Sequence, residues 1–313
     1  MKFPVFDLHC DTADRLIGSD NTKPAGLRSN TNHVDLERAG KLAGFAQCFA
    51  CFTTTSSKIN PTDVFEKKLA ALHWELEKNK DLIQQAYCAE DIERNLNNGI
   101  MSAILTIEGP AGFGFDPELL EDLYNVGFRI STLGWNESNP LTGSHLTGEG
   151  LTDLGREYVK EAQHLGMLVD VSHISDKGFW DIMDITNAPV IASHSNSRSI
   201  CNVSRNITDD MFLEICRTGG VTGINLFSDF LGNDPNLNTV CDHILHFLEL
   251  DPDGKHIALG GDLDGCDKLV NGFCGVQDYP NIAEQILLRG IDEAVVCNIF
   301  WNNAMEVFKK CSM

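Results

Sequence analysis

No stretch of this 313-residue sequence approaches the roughly 18 consecutive apolar residues that cross a bilayer, which excludes a transmembrane helix. Met1-Lys2-Phe3-Pro4 runs straight into the first motif and leaves no room for a signal peptide, so a cytoplasmic protein is expected. Basic residues are scarce, with 24 Lys and Arg against 45 Asp and Glu and a formal charge of −21. Such a field repels a phosphate backbone or an anionic bilayer, so neither nucleic acid nor membrane is an expected partner. The eleven cysteines are an odd number and lack the paired spacing of a zinc ribbon. The one close pair, Cys48 and Cys51, lies in the apolar run Phe45 to Phe52 and reads as buried small hydrophobes, reduced in a reducing compartment. Low-complexity segments, strong repeats and composition breaks are also missing, so residues 1–313 read as a single domain.

What is present is a series of short apolar runs separated by helical segments. Eight read as strands: Val5–Cys10, Phe45–Phe52, Ser102–Glu108, Phe128–Leu133, Met167–His173, Pro189–His194, Gly220–Phe227 and His256–Asp262. Between them, Val64 to Lys80 has apolar residues at helical spacing, and Thr208-Asp209-Asp210-Met211 reads as a capped helix start. Asn238 or Thr239 is the expected cap of a further helix, and Tyr279 to Lys310 reads as two closing helices, Asn281–Leu288 and Asp292–Lys309. Alternation of β and α along the whole chain argues for a parallel sheet, and eight units in roughly 250–300 residues is the size of a (β/α)₈ TIM barrel, an α/β fold.

Several of these runs end on a polar side chain that is costly to bury alone. His9 and Asp11 follow Val5–Leu8, Glu108 follows Ile104–Ile107, His173 and His194 close two consecutive runs, and Asp262 follows Ile257–Gly261. Active sites of such barrels lie at the C-terminal strand ends. Residues two apart on an extended strand point the same way, so His9 and Asp11 are expected to project together, a nitrogen and an oxygen suited to zinc. Glu108, before Gly109-Pro110, could simply cap the next helix, but a carboxylate can also bridge two cations. Ser172 and Ser193 precede His173 and His194 in matching fashion. The remaining histidines (His33, His73, His145, His164, His243, His246 and His256) lack such a setting and read as structural or surface residues.

In this order the motifs resemble the membrane dipeptidase (renal dipeptidase) family of metal-dependent, amidohydrolase-like barrels. The matching pieces are Asp7-Leu8-His9-Cys10-Asp11-Thr12, Glu108-Gly109, Val169-Asp170-Val171-Ser172-His173, Ser193-His194-Ser195, Ser204-Arg205-Asn206-Ile207 and Gly260-Gly261-Asp262-Leu263-Asp264-Gly265. The tail from Tyr279 through Phe308 is similar as well, so the resemblance runs nearly end to end. It implies two divalent ions per chain, Zn²⁺ by preference, with His9 and Asp11 on one, His173 and His194 on the other, and Glu108 between them. Arg205 is implied to grip the substrate α-carboxylate, and Asp262 to handle the proton, with Asp264 as the fallback because sequence does not say which carboxylate points inward. One position departs from the family pattern: Trp135 stands where a histidine polarising the scissile carbonyl is usual, and the neighbouring Asn136 is a candidate donor in its place.

The implied function is a zinc-dependent dipeptidase that cleaves small dipeptides with a hydroxide held between two metals and tolerates a D-residue at the C-terminal position. Two alternatives stay open: a hydrolase of another small amide, such as an N-acyl amino acid, and a non-enzymatic metal-binding barrel. The natural dipeptide and the oligomeric state, a homodimer included, are not readable from the sequence.

Overall fold

The structure is a computed structural model and describes residues 4–18 and 22–310. Among these, nine strands form one all-parallel sheet: β1 Val5–Cys10, β2 Phe45–Phe52, β3 Ile83–Gln85, β4 Met101–Glu108, β5 Phe128–Thr132, β6 Leu168–Asp170, β7 Val190–Ile191, β8 Thr222–Ile224 and β9 Ile257–Leu259. Eight run in the order β7-β6-β5-β4-β2-β1-β9-β8, and a parallel bridge between Ala192 and Thr222 brings β7 against β8, so the barrel is nearly closed. The ninth, β3, is absent from the sequence reading. It is three residues long, two of them glutamine, and pairs with Met101–Ala103 at the start of β4, while β5 takes the later part of that strand.

The core has two layers that follow strand parity. Ala103, Leu105 and Ile107 pack outward with helical residues such as Phe65, Leu72 and Tyr158. Residues of the opposite parity, among them Phe6, Leu8, Ala46, Cys48, Ile104, Ile130, Leu168, Ile191 and Ala258, join Trp301, Met305 and Phe308 in a second cluster. The second is the barrel interior, and the C-terminal helical residues seal its lower end, with Phe6 against the rings of both Trp301 and Phe308. Cys48 and Cys51 are fully buried, and no disulfide joins the ten described cysteines.

Several boundaries differ from expectation. The helix expected at Val64–Lys80 spans Pro61–Lys78, capped by Asn60, whose side chain accepts from the Thr62 amide. Asn236, rather than Asn238 or Thr239, caps Leu237–Leu250, and the Thr239 hydroxyl returns the bond as a capping box. Thr208 caps Asp209–Thr218 as expected. The last helical run, Glu293–Lys309, is interrupted by a π-helical segment at Asn298–Asn302. Strands β6 to β9 are only two or three residues long, so His173, His194 and Asp262 stand beyond them on turns. Buried aspartates at the strand ends capture the next amides and end the ladder early.

Candidate metal centre and active site

The strand ends are built by two aspartates that are themselves no part of the cluster. Asp7, in β1, accepts at Oδ1 from the amides of His9 (2.9 Å) and Gly261 (3.1 Å), and at Oδ2 from the phenol of Tyr279. Asp170, in β6, accepts at Oδ1 from the amides of Ser172 and Ser193 (2.9 Å each), and at Oδ2 from the Ser193 hydroxyl at 2.5 Å. Each carboxylate ties the turn after its own strand to the turn after a neighbouring one. The turns are tight, with His173 at φ 71° and Asp262 at φ 56°, in a region that side-chain-bearing residues seldom occupy. Crowding sets the rest: a Cβ on Gly223 or Gly260 would fall within about 2 Å of the Ser193 carbonyl oxygen, at 2.0 and 1.7 Å.

Five of the predicted ligands converge on this floor. His9 Nε2 is 3.3 Å from Asp11 Oδ2 and 3.3 Å from Glu108 Oε2. The other oxygen, Glu108 Oε1, is 3.1 Å from His173 Nε2 and 4.0 Å from His194 Nε2, and those two nitrogens are 3.0 Å apart. His9 stacks on His194 with centroids 3.7 Å apart. All five are buried. His9 and Asp11 do converge, but not by strand alternation. The register slips between Asp7 and Cys10, and Asp11 is already the helical cap of Thr12–Ile17.

Asp262 joins as well: ligand atoms of His9, Asp11 and Asp262 lie within 4.8 Å of one another, as do those of His9, Glu108 and His194. Its carboxylate accepts from Asn225 Nδ2 at 3.1 Å. Asp264 turns away, one oxygen accepting from the Thr12 hydroxyl and the other from the His33 amide, 2.7 Å each. Burial, reinforced by Asp11 and Glu108, raises the Asp262 carboxyl to about 7 against the opposing pull of His9. Burial also opposes charge on His9, but Glu108 and Asp11 outweigh it and lift the imidazole well above 6.5. His173 and His194 are driven the other way, first by burial and then by neighbouring cations including Arg205.

Arg205 is buried beside the cluster, donating from Nη1 to Ser195 Oγ at 2.8 Å and from Nη2 to the His194 carbonyl at 3.0 Å. Its Nε has no partner among the described residues, and burial lowers its pKa to about 10. Asn136, the candidate substrate donor, instead presents Oδ1 to His173 Nδ1 at 2.8 Å and to His145 Nε2 at 3.0 Å. The predicted donor is therefore engaged as an acceptor, because its carbonyl faces two imidazoles. His145, read as an ordinary loop residue, continues this line to Ser204 Oγ at 2.9 Å. Trp135 packs on Phe52 and lies 6.3 Å from the His173 ring. His243 is structural: Nδ1 accepts from the Ser197 amide and Nε2 donates to the Leu231 carbonyl. A cavity of about 690 Å³ opens nearby between Arg15, Phe52, Ile59 and Lys67, but none of the cluster residues lines it.

The donor set fits divalent cations. With Nδ1 of His173 donating to Asn136 and Nδ1 of His194 donating to Ser193, both Nε2 atoms are left bare and face each other. Two lone pairs 3.0 Å apart repel unless an electrophile lies against both. Three imidazoles and three carboxylates at the mouth of a barrel define a metal-dependent hydrolase. The profile described as "Membrane dipeptidase (Peptidase family M19)" matches residues 1–313, and the chain belongs to that family: it is a metallo-dipeptidase, a hydrolase of peptide bonds. An uncharacterized protein in the pqqA 5′ region of Klebsiella pneumoniae is 31% identical over 264 residues, 80% of this chain and 97% of the relative. An uncharacterized dipeptidase of Schizosaccharomyces pombe is 30% identical over 306 residues, covering 90% and 73%. A metallo peptidase of Rhodobacter sphaeroides, solved with a phosphinate mimic of L-Ala-D-Ala, superposes with a TM-score of 0.87 at 24% identity over 99% of this chain and 100% of that one, a likeness of fold.

Proposed function

We propose that the protein is a two-zinc dipeptidase for small dipeptides that accepts a D-residue at the C-terminal position. The observation that carries this reading is the split of Glu108, with Oε2 turned to His9 and Oε1 to His173 and His194. A carboxylate so divided could serve two cations, one that His9 and Asp11 would hold and one that His173 and His194 would hold. Bound there, a pair of divalent ions supplies a water acidic enough to attack near neutrality and a Lewis acid for the scissile carbonyl.

The chain's own residues supply the remainder. Asp262, at the rim of the His9 and Asp11 side, takes a proton from the attacking water and returns it to the departing amine. Arg205 receives the α-carboxylate of the C-terminal residue, since among the described residues its guanidinium donates to a hydroxyl and a carbonyl, stands over the Phe230 ring and forms no ion pair with a carboxylate. Asn136 holds His173 by its Nδ1. A substrate fixed at its carboxylate and its scissile carbonyl leaves the terminal side chain weakly read, which supports D-tolerance; the L-Ala-D-Ala mimic bound by the Rhodobacter relative points the same way. We place the enzyme in the cytoplasm, where cysteines outside disulfides, as the ten described ones are, persist.

Metal analysis followed by a dipeptide panel tests the reading. About two ions per chain are expected, with hydrolysis of free dipeptides carrying L- or D-terminal residues. Amidating the C-terminus, or Arg205→Lys, should each lower kcat/KM by a few kcal/mol, and the pair together by little more. Equal rates on free and amidated substrates would remove Arg205 from this role and favour another small amide as substrate.

A further inference from the structure

Behind His194 the hydrogen bonds form a chain whose direction can be worked out donor by donor. Asp170 Oδ1 is occupied by the two amides of Ser172 and Ser193, so only Oδ2 is left for the Ser193 hydroxyl, which donates to it at 2.5 Å. That hydroxyl has a single hydrogen. Toward His194 Nδ1, 2.6 Å away, it can therefore only accept, and the imidazole must carry its proton on Nδ1. Its Nε2 then points bare into the cluster, 4.0 Å from Glu108 Oε1. Ser172 completes the arrangement: its hydroxyl accepts from the His194 amide at 3.2 Å and lies 3.4 Å from Ser193 Oγ. Asp170, Ser172, Ser193 and His194 are each 2% exposed or less, so water does not compete for these bonds.

We infer that Asp170, acting through Ser193, is a positioning residue that sets the tautomer of His194 and so keeps Nε2 available to a cation. The inference rests on the two-cation reading above, but the tautomer can be read without any metal. An asparagine at this position reverses the chain. Its Oδ1 stays with the two amides, its Nδ2 donates to Ser193 Oγ, and the serine hydrogen turns to His194 Nδ1. The imidazole proton then moves to Nε2, where it blocks the cation. Ser193→Ala cuts the chain more gently: Asp170 keeps both amides, and Nδ1 loses only its acceptor.

Chelator-treated protein labelled with ¹⁵N in histidine provides the first readout. Long-range ¹H–¹⁵N correlation should show His194, assigned by its loss in His194→Gln, as the Nδ1–H form in the wild type and as the Nε2–H form in Asp170→Asn. Zinc titration against a competing chelator provides the second. Asp170→Asn should hold one of the two ions at wild-type affinity and the other about 10- to 100-fold more weakly or not at all. Ser193→Ala should give a smaller loss at the same position, which Ser193→Thr restores. Circular dichroism confirms that each variant is folded. An Asp170→Asn protein that keeps the Nδ1–H form and both zinc affinities would overturn the inference. If the wild type itself takes up a single ion, the two-cation reading fails, and the tautomer comparison still decides the relay.

Discussion

The corner where β1 meets β9 and the corner where β6 meets β7 use the same device for different ends. In each, a buried aspartate takes the amide two residues ahead and an amide on the neighbouring turn with one oxygen, and a hydroxyl with the other. At the first corner the hydroxyl belongs to Tyr279, whose bond ends there and ties the barrel to its C-terminal helices. At the second it belongs to Ser193, which hands the bond on to His194. Asp7 thus fixes the backbone of His9 without reaching an imidazole, whereas Asp170, by the relay inferred above, also reaches the ring of His194. Whether a buried carboxylate matters to chemistry depends on what stands beyond its last hydrogen bond.

The largest effect that separates the corners should come from Asp262, the carboxylate proposed to carry the proton on the β9 side. Asp262→Asn should keep the metals and lower kcat by roughly 10²- to 10⁴-fold, measured on a free dipeptide with metal content checked in parallel. Asp264→Asn, which loosens bonds to Thr12 and His33, should leave kcat nearly unchanged. The reverse result would exchange their roles. Next come Asp7→Ala and Asp170→Ala, each of which strips the partner from two buried amides. Each should lose about 2–5 kcal/mol of stability in urea unfolding of chelator-treated protein. Unequal losses would break the likeness of the corners.

His243 offers a control, a buried histidine with partners at both nitrogens and no carboxylate in its chain. Burial lowers its pKa to about 4. Between pH 6.5 and 4 the unfolded chain takes up a proton that the folded one refuses, so stability is present above pH 6.5 and is lost as pH falls toward 4. The loss should approach about 3 kcal/mol at most, and His243→Gln should remove that share of the pH dependence, leaving the part due to the other buried histidines, without changing zinc affinity. The smallest effect is expected from Tyr279→Phe, about 1 kcal/mol of stability with metal affinity and kcat intact. A change in zinc binding there would mean that the first corner also reaches the metals.

His9, Glu108, His173 and His194 were legible because each follows an apolar run in which its charge or polarity has no ordinary place. The barrel was legible through the alternation of those runs with helical segments. Strand lengths were not, because Asp7 and Asp170 end the ladders, and an aspartate inside an apolar run reads as a possible ligand or a plain flaw. A shared signal was available: Asp7-Leu8-His9 and Asp170-Val171-Ser172-His173 each place an aspartate just ahead of a candidate ligand histidine. Asn136 was noticed only as a candidate donor, and its acceptor role, like the place of His145, was beyond reach, since both lie in contacts with His173 and Ser204, 37 and 59 positions away. β3 was too short and too polar to register.

The pairing of β1 with β9 also bears on how such a chain is made. Strand β1 has one edge beside β2 but waits for more than 200 residues to be synthesised before its other neighbour exists. The residues that plug the interior, Trp301 to Phe308, come later still. Contacts so distant along the chain form slowly and leave apolar surface uncovered in the meantime. A nascent chain that has reached Asp264 already holds every candidate ligand side chain, yet it lacks the phenol that pins Asp7 and the plug beneath the barrel. Closure of the barrel around the candidate metal centre therefore comes only after all of its side chains have been made.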